Sequence, residues 1–108
     1  MTDECTFCEI VSKRYELQWA DAWWGLFPAA QPQTALHLLL VPLRHIRSID
    51  ELMHEEIAAL VPAISRAVLM SGLGGQYKLE VNGPARQQIR HLHVHIFGPK
   101  RRSLVGII

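Results

Sequence analysis

The hydrophobic pattern changes period several times along this chain, and each change marks an element. Cys5-Thr6-Phe7-Cys8-Glu9-Ile10-Val11 is apolar enough to pack as a turn of helix but too short to be a domain. Tyr15 to Phe27 is aromatic and β-like, with Trp19, Trp23, Trp24 and Phe27 around a polar Asp21 that reads as a hairpin turn. The three tryptophans are expected in the core or on a subunit face. Pro28 to Thr34 has no period and is read as a loop, and Leu36 to Val41 is a continuous apolar run of strand length ended by Pro42.

Ser48-Ile49-Asp50-Glu51 has the form of a capping box, in which a serine oxygen takes a free N–H of the first turn and the glutamate reaches back. The pattern predicts a helix starting there, with Met53, Ile57, Leu60, Ile64, Ala67 and Val68 on one face and Gly72, Gly74 and Gly75 ending it. Pro62 lacks a backbone donor and clashes with the preceding turn, which predicts a kink or a restart. Gln76 to Val81 reads as a strand, Asn82-Gly83-Pro84 as a turn, and Ile89 to Phe97 as a second strand antiparallel to the first.

Composition narrows the class. With 108 residues, 49% of them hydrophobic and 19% charged, the chain is expected to form a single domain over residues 1–108. A balance of 11 basic against 10 acidic side chains leaves a net charge of +1, so nothing draws the whole chain to nucleic acid and phosphate recognition has to be local. A chain this short hides roughly 65% of its unfolded surface, which makes a dimer partner or a bound metal a natural reinforcement. Two cysteines, Cys5 and Cys8, build no disulfide framework, and no leader-like segment opens the chain, so a cytoplasmic protein is expected. Apolar runs such as Leu38 to Pro42 are strand-sized, and no membrane span is expected.

Six histidines are the unusual feature: His37, His45, His54, His91, His93 and His95. The last three alternate with Leu92, Val94 and Ile96, which on a strand puts the imidazoles on one face and the aliphatic side chains on the other. Imidazole serves as nucleophile, acid, base or metal ligand near neutral pH. A row of them therefore has three readings: a catalytic metal site, a structural or solvated row, and nucleophilic chemistry on phosphorus. No nearby carboxylate completes a catalytic metal set. Cys5 and Cys8 have the two-residue gap that lets both thiolates reach one tetrahedral ion, with inert buried thiols as the alternative.

His91-Leu92-His93-Val94-His95-Ile96-Phe97 resembles the signature of the histidine triad superfamily, and the likeness extends over nearly the whole chain. His37-Leu38-Leu39-Leu40-Val41-Pro42-Leu43-Arg44-His45-Ile46 resembles that family's upstream strand and turn. Phe27, Pro32 and Gln33 stand where its pattern expects them, and Cys5-x-x-Cys8-x-Ile10-Val11 is similar to the start of many members. Gly98 is similar to the branch of histidine triad nucleotide-binding proteins, which hydrolyse nucleoside phosphoramidates, where the dinucleoside polyphosphate hydrolases have proline. The resemblance implies an α+β fold: a five-stranded antiparallel sheet, one main helix and a short N-terminal helix, helices on one side, usually a homodimer with a ten-stranded sheet. The strand count read above agrees.

By resemblance, His93 is the nucleophile that attacks the α-phosphorus and forms a nucleotidyl-histidine. His95 donates to the phosphate or leaving group, and His37 orients the nucleophile and stabilises charge. Gln87 matches a phosphate-contacting glutamine and Asn82 an asparagine near the substrate, although Asn82-Gly83 is also simply a good turn. Ile10 and Phe27 belong to the apolar wall around a purine nucleotide. His45 and His91 match the remaining ligands of a structural zinc with Cys5 and Cys8; no cofactor is implied for catalysis. Lys100, Arg101 and Arg102 are read as a solvated run or an anion contact.

Two positions depart from the family. Ala29 stands where an aspartate or asparagine usually holds the ribose, and Gln88 stands where a serine or threonine hydroxyl usually serves the leaving amine, after Arg86 in place of glycine. The leading expectation is a hydrolase or transferase of nucleoside 5′-phosphoramidates. The alternatives are a dinucleoside polyphosphate hydrolase or phosphorylase, and a zinc-stabilised nucleotide-binding module with little turnover.

Overall fold

A computed structural model describes residues 5–99; the basic run Lys100, Arg101 and Arg102 lies outside the described residues. In chain order the elements are α1 (Thr6–Ser12), β1 (Trp19–Ala20), β2 (Trp24–Pro28), β3 (His37–Pro42), α2 (His54–Ser71), β4 (Lys78–Val81) and β5 (Val94–Phe97). Single 3₁₀ turns stand at Arg14–Glu16, Ile49–Glu51 and Pro84–Arg86. Asp21 builds the first hairpin, its Oδ1 accepting the backbone N–H groups of Trp23 and Trp24 at 2.7 and 2.6 Å. The five strands form one antiparallel sheet in the order β1-β2-β3-β5-β4.

Alternation along β2, β3 and β5 sorts the side chains into two cores. Trp24, Leu26, Leu38, Leu40, Val94 and Ile96 pack with Ala63 and Ala67 of α2 on one face. Phe27, Leu39 and Val41 pack with Phe7 and Val11 of α1 on the other. The two helices therefore cover opposite faces, not one side as expected, because Thr6–Ser12 carries its own apolar pair to the histidine face. Of the three tryptophans, Trp24 is fully buried, and Trp19 and Trp23 pack half-buried against the same core.

Four expectations along the chain need correction. The main helix begins at His54 and not at Ser48: Ile49–Glu51 is a separate 3₁₀ turn, and Leu52 (φ −67°, ψ 141°) is extended. The glutamate that reaches back to a helix start is Glu56, whose Oε1 accepts the N–H of Met53 at 2.7 Å; Glu51 instead accepts from the N–H of Arg47. Pro62 does not restart the helix: it sits exposed inside α2, beside Ala63, which is fully buried against the sheet. The buried seam of α2 is Glu56, Ala63 and Ala67, so Ile57 is exposed. Finally, β5 starts only at Val94. Ile89 to His93 lies outside the ladder, where Leu92 N–H bonds to the Ile46 carbonyl (2.7 Å) and His91 N–H to that of Ile89 (2.8 Å).

The helix end was legible: Gly72 closes α2 in the left-handed conformation (φ 65°), which a glycine adopts without a Cβ penalty. Gly98 has a steric cause, since a Cβ there would lie 3.0 Å from Leu73 Cδ2 and 3.1 Å from Leu36 Cβ.

Candidate active site

Three histidine rings are held by hydrogen bonds that set the proton on each. His93 Nδ1 donates to the His91 carbonyl at 2.7 Å, which leaves its Nε2 with a lone pair. The backbone N–H of Gln33 donates to His37 Nδ1 at 3.2 Å, so His37 carries its proton on Nε2 and donates to His95 Nδ1 at 3.0 Å. His95 is then left with an Nε2–H to offer. Ring centroids of His93 and His95 are 4.8 Å apart, and those of His37 and His95 5.2 Å. The pairing Leu39↔His95 and His37↔Phe97 across β3 and β5 creates this proximity.

Burial disfavours the charged form of two of these rings, His37 and His95. It lowers His37, and it pushes His95 down to about 4, helped by the neighbouring His93 and His37, against the ordinary 6.5. His37, His93 and His95 line a cavity of about 430 Å³ whose apolar wall includes Phe7, Ile10, Phe27 and Leu39. Phe7 stands edge-on to both Phe27 and His93, with centroids 5.4 and 5.1 Å away.

His91 is turned out of this row. Its Nε2 donates to the Pro42 carbonyl at 2.9 Å, and its Nδ1 lies 3.4 Å from Cys5 Sγ and 3.5 Å from Cys8 Sγ. His45 Nδ1 approaches Cys8 Sγ at 3.1 Å, and the four ligand atoms of Cys5, Cys8, His45 and His91 lie within 4.8 Å of one another. The two-residue gap works because Cys5 caps α1, its Sγ accepting the N–H of Cys8 at 3.3 Å, which brings both sulfurs to one end of the helix. Burial and the adjacent Cys5 push the Cys8 thiol up to about 11, a repulsion that a cation between the sulfurs would reverse. The donor set fits a metal ion: two thiols, and an imidazole whose second nitrogen is oriented by a carbonyl.

Of the residues expected around the nucleotide, Ile10 and Phe27 line the cavity, and Gln87 and Asn82 do not. The Gln87 amide is occupied instead, its Nε2 donating to the carbonyls of Arg47 (2.6 Å) and Asn82 (3.2 Å). Its neighbour Gln88 lines the cavity, with Thr6, Gln31 and Gln33. Sequence reading gave Thr6 and Gln31 no role because isolated polar side chains carry no periodic signal; only the family's pattern marked Gln33, and the departure from it Gln88. Ala29 lines the cavity without a carboxylate, as its identity requires.

The chain matches, over residues 4–107, the family model described as scavenger mRNA decapping enzyme C-term binding. It is similar to protein HitA of Neisseria gonorrhoeae, 34% identical over 106 residues that cover 89% of this chain and 96% of that one. It is also similar to the solved structure of a HIT family hydrolase from Legionella pneumophila, with 25% identity, a TM-score of 0.72 and coverage of 91% and 95% of the two chains. A histidine triad nucleotide-binding protein from Candida albicans shares the fold at a TM-score of 0.80 and 20% identity, over 90% of this chain and 76% of that one. A family match along nearly the whole length, joined to a His-x-His-x-His run that leads into β5 beside an upstream histidine on β3, makes this chain a member of the histidine triad superfamily.

Proposed function

We propose that the protein is a nucleotide-binding hydrolase of the histidine triad nucleotide-binding branch, acting on purine nucleoside 5′-phosphoramidates through His93. One observation carries the reading. The His91 carbonyl holds the proton of His93 on Nδ1, so a neutral ring presents a bare Nε2 in a cavity beside the Nε2–H of His95. A nucleophile that splits one displacement into two needs that protonation state.

In the first half His93 Nε2 bonds to the α-phosphorus as the P–N bond breaks, its electron pair leaving with the amine. In the second half the phosphorus is transferred to water, and His93 is restored. The departing amine takes a proton from His95 Nε2–H in the first half, and the attacking water returns one to His95 in the second, so one water is consumed overall, its oxygen and remaining proton ending on the phosphate. His95 Nε2–H stabilises the phosphoryl oxygens, and His37 holds His95 in the donating tautomer. Ile10 and Phe27 supply flat apolar surface for a base. Gln31 and Gln33 stand near Ala29 as the polar groups available to the ribose.

Purified protein is expected to release AMP from adenosine 5′-phosphoramidate, and His93→Ala to lower kcat at least about 10³-fold. Equal release by both proteins would remove the reading. Hydrolysis of dinucleoside polyphosphates is a second reading favoured by Gln88, since an amide replaces the hydroxyl that serves a leaving amine and a phosphate departs without a proton. Product analysis with a diadenosine polyphosphate separates the two; AMP binding without any cleavage would point to a binding module.

The ion proposed for Cys5, Cys8, His45 and His91 is a structural zinc, because a four-ligand set of this kind leaves no position for substrate. It would join α1 to the segment that leads into β5. The protein is further proposed to be a cytoplasmic homodimer, on the grounds of reduced cysteines and of apolar side chains exposed on α2 and on edge strand β4.

A further inference from the structure

The histidine cavity adjoins a second one of about 530 Å³, with which it shares Thr6, Gln88 and Ile89. Beyond that common wall the lining turns cationic, with Arg47 and Arg90 near His45. Arg47 is held in place by neutral acceptors: its Nη2 donates to the Pro84 carbonyl at 3.0 Å and its Nε to Gln87 Oε1 at 3.5 Å. Gln87 in turn donates to the carbonyl of Arg47, closing a small ring of bonds. The only carboxylate bonded to Arg47 among the described residues is that of Glu51, and it meets the backbone N–H, not the guanidinium. Ion pairs among the described residues are Arg44 with Glu56 and Lys78 with Glu80, so neither Arg47 nor Arg90 is neutralised in one. A divalent ion bound by two thiolates and two imidazoles would add no net charge nearby.

The two cavities meet at Thr6, Gln88 and Ile89 and differ in character: Phe7, Ile10, Phe27 and Leu39 give the histidine cavity an apolar end, His93 and His95 line the same cavity, and Gln88 belongs also to the cavity of the arginines. A flat base belongs at the apolar end, the phosphorus at His93, and the group that departs on the Gln88 side. We propose that Arg47 and Arg90 form a leaving-group subsite that selects substrates whose departing half carries an anion, a carboxylate or a phosphate. A guanidinium already fixed by neutral bonds offers a remaining N–H edge to such a group at little ordering cost. The proposal rests on the reading that His93 attacks the nucleotide phosphorus. It also gives Gln87 and Asn82 a role, as the frame that positions Arg47.

The test uses three adenosine 5′-phosphoramidates, made from β-alanine, from β-alaninamide and from O-phosphoethanolamine, the first two differing only by a terminal carboxylate against an amide. The full-length protein is expected to favour one or both anionic substrates over the amide by about tenfold in kcat/KM, a preference that shrinks as salt is raised. In Arg47→Gln/Arg90→Gln the ratio is expected to fall towards one, and in Arg47→Lys to be largely kept. Arg90→Gln alone, at an exposed side chain, guards against a folding defect in the double variant and is expected to lower the ratio severalfold. Equal kcat/KM for all three, or a preference that survives in the double variant, overturns the subsite; which anion is preferred distinguishes carboxylate from phosphate. Binding of the same compounds to His93→Ala separates this claim from the reading beneath it. Tighter anion binding that needs the arginines supports the subsite even if no compound is cleaved, and equal binding overturns it.

Discussion

His91, His93 and His95 alternate in sequence, and each ends in a different chemical state because each meets a different hydrogen-bond partner. His91 gives its Nε2–H to the Pro42 carbonyl and turns Nδ1 towards the cysteines; His93 gives its Nδ1–H to the His91 carbonyl; His95 accepts from His37. Burial keeps His37 and His95 deprotonated when folded, so below the ordinary 6.5 the unfolded chain binds more protons than the native one. The stability these rings contribute is complete above that value and is lost as pH falls towards about 4. Thermal unfolding is expected to show Tm declining over this interval, with a shallower decline in His95→Gln. At the metal centre, Cys8→Ser is expected to reduce zinc from one ion per chain and to lower Tm by roughly 5–10 °C. Elemental analysis and a melting curve check this, and a metal-free wild-type protein would sink it.

At the scale of elements, helix α2 is the instructive case. Its apolar residues recur at helical spacing, but the seam that reaches the sheet includes Glu56, held by Arg44 Nε and Nη2 at 3.1 and 2.8 Å and by the N–H of Met53. A carboxylate so bonded is as good an inward residue as a leucine, and hydrophobic periodicity has no means of finding it. Pro62 is the opposite case, a breaker within an unbroken helix. It leaves the Ala58 carbonyl without its usual donor, so Pro62→Ala is expected to stabilise the fold by about 2 kcal/mol in denaturant unfolding. An unchanged midpoint would mean that the entropy lost by removing proline from the unfolded chain offsets the gain.

For the whole molecule, the sheet has one edge at β4, where Leu79 and Val81 are exposed, and α2 exposes Ile57 and Val61. An uncovered edge strand and exposed apolar side chains on a helix each invite a second chain. Sedimentation is expected to give twice the chain mass, and Ile57→Glu/Val81→Lys the single chain. A monomeric wild type at micromolar concentration would remove the dimer proposal.

The local pattern carried the hairpin at Asp21, the strands around Leu38 and Val94, the glycine stop at Gly72 and the histidine and cysteine spacings, because turn chemistry and periodic burial act over a few residues. It misplaced the start of α2 and of β5, where the competing signals, Glu51 or Glu56, His91 or Val94, differ only in long-range partners. The division of the triad between a cysteine–histidine cluster that could hold a metal and a cavity, the exchange of Gln87 for Gln88 at the cavity wall, and the meeting of Arg47 with Arg90 belong to the tertiary structure. Each depends on which carbonyl, ring or amide from a distant segment reaches a side chain first, and hydrogen bonds made across about 40 to 90 residues leave no trace in neighbouring letters.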